Sequence, residues 1–75
     1  MTLVLAGTYD QAKYYARKQN ILPTKMVYIS DCSKIMGVTR GTPIQCVGTY
    51  RERADFWEIY THALLRSMPF IEIPS

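Results

Sequence analysis

Short runs of consecutive apolar residues, each stopped by a strand-breaking residue, organise this chain. Thr2-Leu3-Val4-Leu5-Ala6 is almost continuously apolar and stops at Gly7, the pattern of a strand buried on both faces of a parallel sheet. Lys25 to Ile29 is rich in strand-favouring side chains and stops at Ser30-Asp31, residues that compete for backbone hydrogen bonds and so open turns. Ile44-Gln45-Cys46-Val47 stops at Gly48, and Phe70-Ile71-Glu72-Ile73 before Pro74 predicts a short last strand or a docked tail.

Helical spacing fills the intervals. Thr8-Tyr9-Asp10-Gln11 has the form of a capping box and predicts a helix from Tyr9 to about Asn20, with Ala12, Tyr15 and Ala16 on one face and Lys13 and Arg17 on another. Leu22-Pro23 marks the end of that segment. Cys32 to Met36 predicts one helical turn closed by Gly37. A second long helix is expected from Tyr50 to about Ser67, with Phe56, Trp57, Ile59, Tyr60, Ala63 and Leu64 as its apolar face. Arg51, Asp55, Glu58, His62 and Arg66 form the opposite face. Strand and helix therefore alternate, which predicts a single α/β domain over residues 1–75: a minimal Rossmann-like, three-layer unit. The expected sheet has three to four mostly parallel short strands in the order 2-1-3, a fourth lying beside strand three, with the two main helices on opposite faces.

Composition narrows what such a unit can be. At 75 residues the chain supports one core, and a domain of that size buries only about 60% of its unfolded surface. Self-association or a bound partner is the expected remedy, and a homo-oligomer follows. An apolar share of 48% with six tyrosines argues against disorder. No apolar run approaches the roughly 18 to 20 residues of a membrane span, and no signal-peptide pattern opens the chain, so a soluble, cytoplasmic protein with no membrane partner is expected. Two cysteines without a secretory signal read as reduced thiols, Cys46 in the core and Cys32 an ordinary thiol or one activated by a helix start and Lys34. A formal charge of +3 favours approach to a nucleic acid or an acidic protein without establishing either.

Gly48-Thr49-Tyr50-Arg51-Glu52 repeats Gly7-Thr8-Tyr9-Asp10-Gln11 closely, and strands one and three should be neighbours at the topological switch point. Both turns would then line one crevice, where Gly7, Thr8, Gly48, Thr49 and Arg51 offer donors to a phosphate or carboxylate, and Asp31 stands where a ribose-binding acid is placed in dinucleotide folds. Glycine for the turn and threonine for the cap account for the same letters without a ligand. Neither a dinucleotide fingerprint nor a phosphate-loop lysine is present, so no cofactor is expected. Lys13, Tyr14, Arg17 and Lys18 form one basic and aromatic patch, and Arg40, Arg51 and Arg53 a second. Each suits a nucleic acid or a solvated face. Trp57 suits either a partner's hot spot or the core. His62, between Glu58 and Arg66, suits a surface residue better than a general base, and one histidine with two distant cysteines predicts no metal site.

Leu3-Val4-Leu5-Ala6-Gly7-Thr8-Tyr9, the short basic helix, Val27-Tyr28-Ile29-Ser30 and Val47-Gly48-Thr49-Tyr50-Arg51-Glu52-Arg53 together resemble small uncharacterised Rossmann-like proteins of tailed bacteriophages, particularly actinobacteriophages. The resemblance implies a small accessory protein acting in the cytoplasm of an infected bacterium, engaging a host protein, a nucleic acid or a signalling nucleotide. With no complete catalytic set, the expected activity is non-enzymatic binding of a host macromolecule. Nucleotide or phosphate binding at the paired turns is the alternative, and weak nucleic-acid binding a further one.

Overall fold

The computed structural model describes residues 2–74. Strands β1 (Thr2–Ala6), β2 (Met26–Tyr28), β3 (Ile44–Val47) and β4 (Phe70–Glu72) form one sheet in the order β2-β1-β3-β4, and every pair is parallel. Helices α1 (Tyr9–Lys18), α2 (Ser33–Met36) and α3 (Phe56–Leu65) complete a three-layer α/β fold. Alternation along the strands divides the core in two. Leu3, Leu5, Ile44 and Cys46 face α2 and α3, packing with Ile35, Phe56, Ile59 and Ala63. Val4, Ala6 and Val47 face α1 and meet Ala12. The two long helices thus lie on opposite faces, as expected when the winding reverses at β1.

Helix α1 ends at Lys18, short of Asn20, because Asn20 turns into the left-handed region at φ 56° and the Ile21 amide donates back to Ala16 O at 2.8 Å. Helix α3 ends the same way, with Ser67 at φ 55° and the Met68 amide on Ala63 O at 2.9 Å. Both are Schellman-type stops, which satisfy carbonyls that the last turn leaves open. Pro23, expected to terminate the first helix, instead opens a separate 3-10 turn over Pro23–Lys25.

The second long helix begins later than its spacing predicts. Tyr50–Glu52 is a 3-10 turn, Arg53 is extended at φ −68° and ψ 141°, and helical geometry starts only at Phe56. Arg53 departs from the helix because its side chain runs inward. Its guanidinium donates to the carbonyls of Ala6, Ile29 and Ser30 and pairs with Asp55. These carbonyls lie at or just beyond the C-terminal ends of β1 and β2, where the ladder stops and backbone acceptors need partners.

Candidate functional site

The crevice between β1 and β3 is built as expected in position and differs in content. Thr8 caps α1, its hydroxyl accepting from the Gln11 amide at 3.2 Å. Gln11 then reaches back into the crevice, where its Oε1 accepts from the Gly7 amide at 2.9 Å and from the Thr49 amide at 3.1 Å. Its Nε2 donates to Thr49 Oγ1 at 3.2 Å. Two backbone N–H groups converging on one oxygen is the arrangement that holds an anion, and here the chain supplies that oxygen from its own carboxamide. Gly7 and Gly48 make room for it. A Cβ at Gly48 would overlap the Gln11 carboxamide, and one at Gly7 would overlap Thr49 Oγ1.

The two Gly-Thr-Tyr turns are therefore alike in letters and unlike in structure. Gly48 is left-handed at φ 60°, whereas the turn at Gly7 needs no positive φ. Thr49, expected to cap a helix, makes no capping bond and serves as the far wall of the Gln11 site. Only one long helix N-terminus, that of α1, follows its Gly-Thr-Tyr turn directly. Arg51 is not aimed at Gln11. It donates to Tyr50 Oη at 3.1 Å and lies 3.5 Å from Glu72, and the phenol beside it raises its pKa. Asp31 is taken up locally by the Ser33 amide and hydroxyl, which hold its carboxyl below the usual range.

The basic residues fall into two groups. Arg53, expected on a surface patch that meets either phosphates or solvent, is structural, with only 9% of its side chain exposed. Arg40 donates to Leu65 O at 2.9 Å and closes the last turn of α3. Lys13, Arg17 and Lys18 remain solvent-facing on α1, where Lys13 lies over the Tyr9 ring and Lys18 over the Tyr14 ring.

Apolar side chains also reach the surface. Phe56 is buried at the centre of an aromatic cluster with Tyr50, Trp57, Tyr60 and Phe70, while Trp57 itself is 72% exposed. Leu64 and Leu65, two turns further along α3, are 61% and 68% exposed. Helix α3 thus carries apolar residues on its inner face (Phe56, Ile59, Ala63) and on its outer face (Trp57, Leu64, Leu65), a distribution usual for a helix covered on both sides. On the other face of the sheet a groove of about 330 Å³ lies between α1 and the end of the sheet, lined by Tyr14, Tyr15, Lys18, Val47, Ile73 and Pro74 among others. No helix is long and apolar enough to cross a membrane among the described residues.

A third cluster escapes a reading of composition. Cys32, in the loop after β2, donates its Sγ–H to Glu58 Oε1 at 2.9 Å, and His62 stands one turn along α3 from Glu58. Donor atoms of Cys32, Glu58 and His62 all lie within 4.8 Å of one another. The bond to Glu58 is the main cause that raises the Cys32 thiol pKa, with partial burial and the carboxylate charges of Glu58 and Asp31 adding to it. This thiol is therefore not activated, despite its place before α2. Burial likewise pushes Cys46 up to about 12. The four-residue spacing of Glu58 and His62 was the available signal, and the contribution of Cys32 depends on the tertiary fold. Against known proteins, no protein-family model matches this chain, and neither a curated protein nor a solved structure is a match to it.

Proposed function

We propose that the chain is a non-enzymatic interaction module that docks a protein partner on the outer face of α3. The exposure of Trp57, Leu64 and Leu65 on a helix whose inner face is already packed carries this reading. Tryptophan is enriched among interface anchors, and Leu64 and Leu65 follow Trp57 at seven- and eight-residue spacing along one side of α3. The resemblance to tailed-bacteriophage proteins is what favours a protein of the host cytoplasm as the partner, and a second copy of the chain would cover the same face. Nucleic acid is the weaker alternative, because Arg53 is internal and Arg40 is engaged by α3, which leaves Arg51 alone of the second patch besides Lys13, Arg17 and Lys18.

The test is capture of partners from bacterial lysate by the tagged chain, with and without nuclease and at two salt concentrations, alongside light scattering of the purified protein. A stoichiometric, nuclease-resistant protein or a self-associated species is expected. Trp57→Ala should weaken either by about 30-fold, since a hot-spot tryptophan contributes roughly 2 kcal/mol and 1.4 kcal/mol is tenfold. Recovery that disappears with nuclease and falls steeply with salt would establish the nucleic-acid reading instead. Binding unchanged in Trp57→Ala refutes the α3 face.

A second reading has its own observation. The Gly7 and Thr49 amides already hold an oxygen, and a phosphate group that displaced the Gln11 carboxamide would find the same two donors. Stabilisation of the chain by a nucleotide or inorganic phosphate supports it, and its absence in both wild type and Gln11→Ala removes it.

A further inference from the structure

Cys32, Glu58 and His62 offer a thiol sulfur, a carboxylate oxygen and an imidazole nitrogen from two elements of the fold, all within 4.8 Å. Glu58 and His62 share one face of α3 because they are four residues apart. Cys32 is brought to them by the turn after β2, half-buried, with its Sγ already bonded to Glu58. We propose that these three side chains form a binding site for a zinc-class divalent cation.

The donor set decides the class of ion. Magnesium and calcium take six or more oxygen ligands, whereas sulfur and imidazole nitrogen with one carboxylate suit Zn²⁺ in four-coordinate geometry. Around a tetrahedral Zn²⁺ the donor atoms stand about 3.3–3.6 Å apart, from bond lengths of ~2.0–2.3 Å. Reaching that spacing from the present arrangement takes side-chain rotation on the order of 1 Å, and Glu58 is exposed and able to rotate. Proton and charge both balance. The Cys32 proton that now bridges to Glu58 leaves to solvent, sulfur and carboxylate each contribute one negative charge, neutral His62 contributes none, and the divalent ion is neutralised. Water fills the fourth position, as in sites with three protein ligands. The bound ion ties the loop after β2 to α3, the helix whose outer face is offered to a partner, without depending on that partner.

Titration of the full chain, metal-free, with Co²⁺ tests the site. A saturable spectrum with tetrahedral d–d absorption and a near-ultraviolet thiolate-to-metal band is expected, bleached when Zn²⁺ is added. Cys32→Ser should lose the near-ultraviolet band, and Glu58→Gln and His62→Gln should each weaken Co²⁺ binding while circular dichroism shows a folded chain. Cys46 remains in every variant, so a thiolate band that survives in folded Cys32→Ser overturns the assignment, as does a wild type that shows no saturable spectrum at millimolar Co²⁺. Alkylation of wild-type Cys32, mapped by mass spectrometry, needs no variant to fold. Zn²⁺ should slow it in a saturable way, and an unchanged rate overturns the site.

Discussion

Replacing Arg53 with alanine should be among the most damaging changes this chain can suffer. The guanidinium donates to three main-chain carbonyls, with N···O distances of 3.2 Å to Ala6 and 2.8 Å to Ser30 and a close bond to Ile29, and pairs with Asp55 at 2.9 Å. Ala6 and Ile29 are fully buried, and Asp55 is 31% exposed on its side chain. Removing one partner of a buried pair typically costs about 3–5 kcal/mol, and each orphaned buried carbonyl about 1–3 kcal/mol. Water entering the vacated volume and the partial hydration of Asp55 reduce the sum, so a loss of about 3 kcal/mol is expected. A 75-residue domain has roughly 4–11 kcal/mol to lose. Urea denaturation followed by circular dichroism reads the effect, and with a slope of ~1 kcal/mol per molar the midpoint should fall by about 3 M. Arg53→Lys keeps the charge but not the planar fork, and should recover only part of the loss. Arg53→Met keeps the aliphatic stem and should recover little, because the acceptors stay unpaired. An Arg53→Ala chain within about 1 kcal/mol of wild type would refute the keystone role and return Arg53 to the pool of surface cations.

Gln11→Ala should cost about 1–2 kcal/mol, because it removes the acceptor for two backbone amides. Gly48→Ala should cost at least as much, through its left-handed φ of 60° and its overlap with Gln11, and the double variant should lose less than the sum. Strict additivity in urea denaturation would mean that the two residues do not share the crevice. One thiol per folded chain should react with iodoacetamide at pH 8, that of Cys32, and Glu58→Gln should speed it, because it removes the carboxylate charge that helps raise the thiol pKa and offers an amide N–H to the thiolate. Cys46 should react only on unfolding. Its folded pKa of about 12 lies above the usual ~8.5, so its contribution to stability is complete below about pH 8.5 and declines as pH rises toward 12. Equal reaction of both thiols in the folded chain would contradict this burial.

The elements that apolar runs alone could specify were legible. Thr2–Ala6 and Ile44–Val47 match their runs residue for residue, since in a parallel sheet burial on both faces leaves a nearly continuous apolar signature, broken here only at Thr2 and Gln45. The expected order 2-1-3, with a fourth strand beside the third, is the one the sheet has, and under it handedness puts the two long helices on opposite faces. Helix ends were less legible. Asn20 and Ser67 stop their helices by entering the left-handed region, a choice either residue makes only in context, whereas Pro23, the obvious terminator, acts later.

The repeated Gly-Thr-Tyr letters show where local pattern ceases to determine a site. In the first copy the residue three beyond threonine is Gln11, which completes a capping arrangement and turns into the crevice. In the second copy the corresponding position is Glu52, followed by Arg53, whose attraction to the carbonyls ending β1 and β2 outweighs the propensity to continue a helix. One copy therefore supplies a side chain and the other a wall, and the crevice forms from their difference. That asymmetry has a functional consequence. A crevice occupied by the chain's own carboxamide is stable without a ligand, so no anion is needed to complete the fold, and apolar surface left over from the small core collects elsewhere. It collects most visibly on α3, where Trp57, Leu64 and Leu65 stand outside a helix already packed within. On the reading proposed above, a partner on the outer face of α3 supplies the cover that the chain itself does not.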